Sequence, residues 1–272
     1  MKVGFIGTGS MGSVLIQSLI KSIALRPEQV LITNRTLTKA EALTEMYPGI
    51  QLRHSPDEVA EQSDILFLCV KPLEYRSLID VIAPIVRTDQ IVVSITSPVL
   101  IRHLEARLPC KIAKIIPSIT NFEHSGATLC MYGSSMSSQD KELLESLLCH
   151  ISKPVRIDEG YTRVTSDITS IGPAFMAFFV EQLVHAAVEI TGFSREQANR
   201  LAGEMLIGCG LLLTSGGFTP ATLQQRVSVP GGITEKALQL LHHRTEGVFM
   251  DVIHATHAKY SEDLAKVEEM MR

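Results

Sequence analysis

The chain opens with a short apolar run, Val3-Gly4-Phe5-Ile6. It breaks at a glycine triplet, Gly7, Gly9 and Gly12, and continues as an amphipathic stretch over residues 13–25. This reads as strand, tight turn, helix, the context that gives a G-x-G-x-x-G match its meaning. Gly7 permits the turn, Gly9 lets backbone approach a pyrophosphate, and Gly12 lets helix and strand pack closely. The free N–H groups of the helix N-terminus then face the phosphates. Ile6, Gly7, Thr8, Gly9, Ser10, Met11 and Gly12 are therefore the first candidate dinucleotide-binding residues.

The next hundred residues keep alternating between strand and helix. Strands are expected at residues 29–33, 50–53, 64–70 and 90–96, with weaker candidates at 111–116, 128–132 and 155–157. Helices are expected at 37–47 and 138–150, with a helical turn at 56–61. The runs DILFLCV and QIVVSIT are apolar throughout, as in strands buried on both faces. Such alternation predicts an α/β fold, a Rossmann-type doubly wound sheet with helices on both faces. Near Tyr161 the pattern becomes wholly helical, so the expected division is a dinucleotide-binding domain over 1–160 and an all-α domain over 161–272.

Within that second domain, residues 173–190 are apolar on nearly every side, including Phe175, Met176, Phe178, Phe179, Leu183 and Ile190. A helix of this kind needs burial. A small helical domain has too little interior to cover it, which predicts a homodimer or higher homo-oligomer.

In dinucleotide folds the end of the second strand selects the cofactor: an acid suits the NAD ribose, an arginine the extra phosphate of NADP. Here the sequence is Thr33-Asn34-Arg35-Thr36. Arg35 offers a planar cation and no acid stands beside it in sequence, so NADP(H) is expected over NAD(H). Asn34 and Thr36 supply hydrogen-bonding groups, although Thr36 also fits a helix N-cap. The fourth strand ends in Cys69-Val70-Lys71-Pro72, just past a strand's carboxyl end, where the crevice of an open α/β sheet lies. Pro72 also suits the start of the next helix.

Four motifs, Gly7-Thr8-Gly9-Ser10-Met11-Gly12, Val70-Lys71-Pro72, Gly172-Pro173-Ala174-Phe175 and Pro230-Gly231-Gly232-Ile233-Thr234, occur in the order and spacing of the pyrroline-5-carboxylate reductases. The chain resembles that family along essentially its whole length. The resemblance implies a Rossmann domain, an interlocking helical dimer, and reduction of 1-pyrroline-5-carboxylate to L-proline by NAD(P)H. Its substrate motifs depart from the family pattern. P-N-T-P is replaced by Pro117-Ser118-Ile119-Thr120, and S-G-S-G-P-A-Y by Thr169-Ser170-Ile171-Gly172-Pro173-Ala174-Phe175. S-S-P-G-G-(A/T)-T is replaced by Ser228-Val229-Pro230-Gly231-Gly232-Ile233-Thr234, with Val229 where the family places a serine on the substrate carboxylate.

The chain thus looks like a diverged paralogue, similar to the reductase-like protein encoded beside late-competence genes in Gram-positive bacteria. The resemblance implies Thr234 as the residue that hydrogen-bonds the ring nitrogen. Ser118, Ser228, Gly231, Gly232 and Ile233 are its companions around a cyclic imino acid. Read from the residues alone, Pro230-Gly231-Gly232 precedes a helix near Thr234, whose free N–H groups suit a carboxylate. Thr234 equally suits an N-cap, with Glu235 favoured in the first turn.

Other chemistries fit less well. A net charge of −4 without a Lys/Arg block argues against nucleic acid. His254 and His257, and the pair His242-His243, lack an H-E-x-x-H arrangement, so no metal site is expected. Glu181, His185 and Glu189 share a helix stripe that reads as a polar edge rather than a proton relay. No G-x-S-x-G elbow or Cys/His signature favours hydrolysis. The five scattered cysteines suit reduced thiols. The longest uncharged apolar run, 171–180, is short for a bilayer, and the glycine-interrupted N-terminus does not read as a signal peptide, so a cytoplasmic protein is expected. Two rivals remain. A hydroxyacid dehydrogenase would need a lysine after Gly172-Pro173, and residues 173–195 contain none. A cofactor-binding regulator with little catalysis fits the apolar Ile119, Ile171 and Val229.

Overall fold

The computed structural model describes residues 1–272. Its first part alternates as β1 (Val3–Ile6), α1 (Ser10–Lys21), β2 (Val30–Thr33), α2 (Leu37–Met46), β3 (Gln51–Leu52), α3 (Pro56–Gln62), β4 (Ile65–Leu68), α4 (Tyr75–Ile82), β5 (Ile91–Ser94), α5 (Ile101–Glu105) and β6 (Lys111–Ile116). It continues with β7 (Ala127–Tyr132), α6 (Ser138–Cys149) and β8 (Lys153–Arg156). Helices α7 (Thr162–Thr169), α8 (Gly172–Thr191), α9 (Arg195–Thr214), α10 (Pro220–Val227), α11 (Ile233–Thr245) and α12 (Val248–Met270) follow.

The eight strands form one sheet in the order β3-β2-β1-β4-β5-β6-β7-β8. All neighbours pair in parallel except β6 and β7. The strands are buried on both sides because successive residues feed two separate cores. Ile65 and Phe67 of β4 join Phe5, Ile32, Val93 and Leu148. Leu66 and Leu68 join Tyr75, Ile79, Val92 and Leu104 on the other face. Phe5 and Phe67 stack with centroids 4.8 Å apart. This is the doubly wound arrangement expected from the continuous apolar runs.

Helix α1 begins at Ser10 rather than near residue 13, so Gly12 lies inside the helix. A Cβ at Gly12 would sit 2.3 Å from the Gly7 carbonyl oxygen, so α1 can start this early only with glycine there. Two elements had no bounds from the sequence, the helix after Pro72, of which only the start was expected, and a short helix after β5. Helix α4 lies on the register Tyr75, Leu78, Ile79, Ile82, all buried, and α5 is a single short turn.

The compact units fall elsewhere than at 160/161. One comprises Met1–Pro173 and Ala255–Arg272; the other is Ala174–His254. The physical reason is that Thr162, Ser166 and Asp167 of α7 are buried, and that Val267 and Met271 enter the core beneath β4 and β5. Asp167 accepts from Arg163 Nε at 3.1 Å and from the Thr256 hydroxyl at 3.0 Å, which fixes α12 to α7 within that unit.

The other unit has almost no interior of its own. Its buried apolar cluster is Val184, Ala198 and Ala202, with Val180 and Val188 half-buried against it. As the sequence led us to expect, one chain does not cover α8: only Val184 of that helix is buried, whereas Phe178, Leu183 and Ile190 are exposed. The apolar stretch also extends further than 171–180 suggested. By length and composition alone, the helical run Glu159–Thr191 is long and apolar enough to cross a membrane. His185 and Glu189 form an exposed pair at 3.5 Å on this helix, as expected for a polar edge.

Candidate functional site

The strand order reverses at β1, flanked by β2 on one side and β4 on the other, and a cleft of about 620 Å³ opens at their carboxyl ends. Its floor is Ile6, Gly7 and Gly9. One wall is Asn34, Arg35 and Thr36, and the other is Cys69, Val70 and Lys71. A topological switch point is where open α/β sheets bind ligands.

Each part is held by identifiable contacts. Gly7 has φ +104°, and its N–H donates to the Thr33 carbonyl at 2.9 Å. Cys69 donates its N–H to the Ile6 carbonyl at 2.8 Å, so the turn after β1 is clamped from both neighbours. Asn34 is the brace between turn and wall. Its Oδ1 accepts from the Thr8 amide at 3.0 Å, and its Nδ2 donates to the Thr36 carbonyl at 2.9 Å. Tyr75, fully buried, donates to the Leu68 carbonyl at 2.9 Å and bonds Ser94 and Thr96, while Thr96 reaches the Val70 carbonyl. Burial pushes the Cys69 thiol well above its ordinary range, so it stays protonated.

The residues fit a dinucleotide. A Cβ at Gly9 would meet nothing within 4 Å, so the backbone there is open to a ligand. The N-cap of α1 is Gly9 itself, no side chain caps the helix, and its first turn holds no acid. Its N–H groups are thus available to phosphate. Thr8 is buried and its Oγ1 is without a partner. Thr8, Ser10, Met11, Gly12 and Pro72 do not line the cleft itself. Gly12 packs the helix down, and Pro72 opens a 3-10 turn over Pro72–Glu74. Thr36 stands at the N-cap of α2 without a capping hydrogen bond from its side chain.

Sequence reading missed three groups here. Lys39 and His54 line the cleft on the Arg35 side. Lys39 lies in the first turn of α2, four residues beyond Arg35 in sequence. The third is Glu74, which corrects the view that nothing opposes Arg35: its Oε1 lies 2.5 Å from Arg35 Nη1. No acid follows β2 in sequence, but the fold brings one from beyond β4.

Two of the substrate motifs meet in the same unit. Ser118 donates its hydroxyl to the Thr169 carbonyl at 2.9 Å, and Ser170 donates to the Pro117 carbonyl at 2.8 Å. Ser118 is fully buried, so its hydroxyl ties these segments together instead of facing solvent, whereas Ile119 is exposed. The third motif lies in the other unit. Gly231 has φ +73°, and Gly232, not Thr234, is the N-cap of α11, with no side chain capping it. The Gly231 N–H is already taken by Glu235 Oε2 at 2.6 Å, and the Gly232 N–H by the Val229 carbonyl at 2.8 Å. The N–H groups left for an anion are those of Ile233, Thr234 and Glu235, the first turn of α11. Gly231, Gly232 and Ile233 border a shallow cavity of about 480 Å³ that also touches Lys236. Val229 and Ile233 are exposed, Ser228 ends α10, and Thr234 is half-buried.

Comparison with known proteins places the chain among its relatives. Residues 159–263 match the family described as pyrroline-5-carboxylate reductase dimerisation. Residues 2–98 match the family described as NADP oxidoreductase, coenzyme F420-dependent. ComE operon protein 4 of Bacillus subtilis is 40% identical over 269 residues, covering 99% of this chain and 98% of that protein. Pyrroline-5-carboxylate reductase 3 of the same organism is 29% identical over 260 residues, 95% of each chain. The crystal structure of Plasmodium falciparum pyrroline carboxylate reductase with NADP bound superposes with a TM-score of 0.83 at 22% identity, covering 100% of this chain and 98% of that one. With a switch-point cleft suited to a dinucleotide and relatives aligned along nearly its whole length, the chain belongs to the pyrroline-5-carboxylate reductase family.

Proposed function

We propose that this protein is an NADPH-dependent reductase of 1-pyrroline-5-carboxylate or a closely similar cyclic imino acid, working weakly on that substrate. The observation that supports it is the composition of the cleft. An uncapped helix N-terminus, an open Gly9 and the cations Arg35, Lys39 and Lys71 surround it, while its thiol is kept protonated. Such a site suits a phosphorylated carrier and leaves the bond-making chemistry to it. The bound nicotinamide supplies the hydride.

The chain's own residues bind and orient. The N–H groups at the start of α1 hold the pyrophosphate, and Arg35 with Lys39 holds the 2′-phosphate, which favours NADPH over NADH. In the α11 turn, Thr234 hydrogen-bonds the ring nitrogen, and the N–H groups of Ile233 and Thr234 hold the carboxylate. A protonated imine is already electrophilic, so Thr234 need not be a strong acid. The product, L-proline, places the activity in amino-acid biosynthesis. We read the exposed apolar face of α8 as the interface of a homodimer of a cytoplasmic protein, since a unit with so small an interior needs a cover.

A second reading has a specific observation behind it. Val229 and Ile233 are apolar and exposed in the α11 turn, and Glu235 already occupies the Gly231 N–H. These features favour an NADP-binding regulator with little or no turnover. Paired variants separate the two readings. Val229→Ser restores a carboxylate partner, worth about ten- to a hundredfold in kcat/KM for one hydrogen bond to a charge. Thr234→Val abolishes turnover while NADPH affinity stays within about twofold. If wild type and Val229→Ser both bind NADPH and neither turns over, the regulatory reading replaces this one.

A further inference from the structure

The cleft holds one feature that a plain phosphate-binding role for Arg35 leaves unused. Its guanidinium is 83% exposed yet held 2.5 Å from the Glu74 carboxylate, whose side chain is 34% exposed. The two sides of this pair are unequally fixed. Glu74 ends the 3-10 turn opened by Pro72; its N–H donates to the Lys71 carbonyl at 2.9 Å, and its carbonyl accepts from the Ser77 hydroxyl at 3.1 Å. The next residue, Tyr75, is buried and pinned to Leu68, Ser94 and Thr96. Arg35 follows the end of β2 on an exposed stretch, with Glu74 as its ion-pair partner. Both side chains border the cleft with Lys39, His54 and Lys71.

We propose that Glu74 is a specificity-determining residue of the cofactor site, competing with the cofactor's 2′-phosphate for Arg35 and narrowing the preference for NADPH over NADH. This rests on the reading that the cleft binds NADP(H) through Arg35. An exposed ion pair is worth little, so Arg35 leaves Glu74 at small cost. The Glu74 backbone, held by Lys71 and Ser77, keeps its carboxylate within reach of the cleft. Its carboxylate then stands beside a phosphate carrying between one and two negative charges near neutral pH. That repulsion acts on NADPH and not on NADH, whose ribose hydroxyl is neutral. The acid that dinucleotide folds usually carry at the end of β2 to disfavour phosphate is thus supplied from the far wall.

The test is calorimetric titration of the full-length protein with NADPH, NADH and the fragment 2′,5′-ADP, for wild type, Glu74→Gln, Arg35→Ala and the double variant. Glu74→Gln is expected to tighten NADPH and 2′,5′-ADP about three- to tenfold and to change NADH by less than about twofold. In the Arg35→Ala background the share of the gain that comes from freeing Arg35 should be lost and the share from direct repulsion should remain, and both should shrink at high salt. Glu74→Asp, with the charge kept and withdrawn by one methylene, should fall between. Thermal melting of each variant separates a loss of fold from a loss of binding. If Arg35→Ala weakens NADPH but Glu74→Gln does not tighten it, Glu74 has no such role while the cofactor reading stands. If Arg35→Ala leaves NADPH binding unchanged, or wild type binds no 2′-phosphorylated ligand, the cofactor reading fails and this inference with it.

Discussion

Asn34 at the end of β2 holds the glycine turn after β1 by accepting the Thr8 amide proton at 3.0 Å. A residue expected to touch the cofactor directly therefore spends both ends of its side chain on the protein, the other end on the Thr36 carbonyl. Asn34→Ala should weaken NADPH and NADH about equally, by about five- to tenfold, because it loosens the turn that both use. Asn34→Asp keeps the acceptor for Thr8 but places an acid where NAD-binding folds carry one, and should shift the preference toward NADH. Nicotinamide fluorescence titration checks both; an Asn34→Asp protein that gains preference for NADPH would count against the placement.

Lys114 of β6 is fully buried, donating to the Ser97 carbonyl at 2.6 Å and to Glu159 Oε1 at 3.1 Å. Glu159 also accepts the Ile101 N–H at 2.9 Å, so it joins the sheet to the start of α5. Glu159→Gln should cost about 2–3 kcal/mol, below the usual range for a buried pair because Glu159 is partly exposed. Burial lowers the Lys114 pKa, and Glu159 offsets part of that. A lysine with a depressed folded-state pKa binds fewer protons folded than unfolded across the window between its two pKa values. Stability from this group therefore rises with pH there. Relative to Lys114→Met, wild type should gain stability as the pH rises toward the ordinary lysine range, read by denaturant unfolding. A constant difference across that range contradicts the lowering that burial imposes on Lys114.

Ile23, just past α1, has φ +61° and is 82% exposed. A β-branched residue there costs about 1–2 kcal/mol, part of which glycine would lose again to unfolded-state entropy. Ile23→Gly should stabilise the protein by about 0.5–1 kcal/mol in chemical denaturation, and a loss of stability would show that the left-handed turn is unstrained.

The apolar face of α8 predicts a dimer that a single charge disrupts. Phe178→Asp should convert a dimer at micromolar concentration into monomer or poorly folded chain in light scattering with circular dichroism. A monodisperse wild-type monomer would remove the interface from the account.

Much of the sheet was legible because its strands bury both faces and so read as unbroken apolar runs, as at Ile65–Leu68 and Ile91–Ser94. The glycine turn was legible because Gly7 and Gly12 answer steric demands of the fold and Gly9 leaves its backbone open. Helix α4 had a plain i, i+3, i+4, i+7 pattern, yet only its start was expected, from the Val70-Lys71-Pro72 motif. Glu74 was not legible: it meets Arg35 across 39 residues of chain, and only the strand order brings them together. Buried Lys114 was hidden for the same reason, since its partner Glu159 lies 45 residues on. The sequence showed both that α8 is apolar nearly all round and that a helical domain this small leaves much of it uncovered.

The most direct test of the account is steady-state oxidation of NADPH by the full-length protein with 1-pyrroline-5-carboxylate, followed by nicotinamide absorbance. The account predicts slow oxidation that saturates with the imine and yields proline, faster with Val229→Ser and lost in Thr234→Val. Tight NADPH binding without any oxidation across the imine concentrations tested, in wild type and Val229→Ser alike, would contradict it.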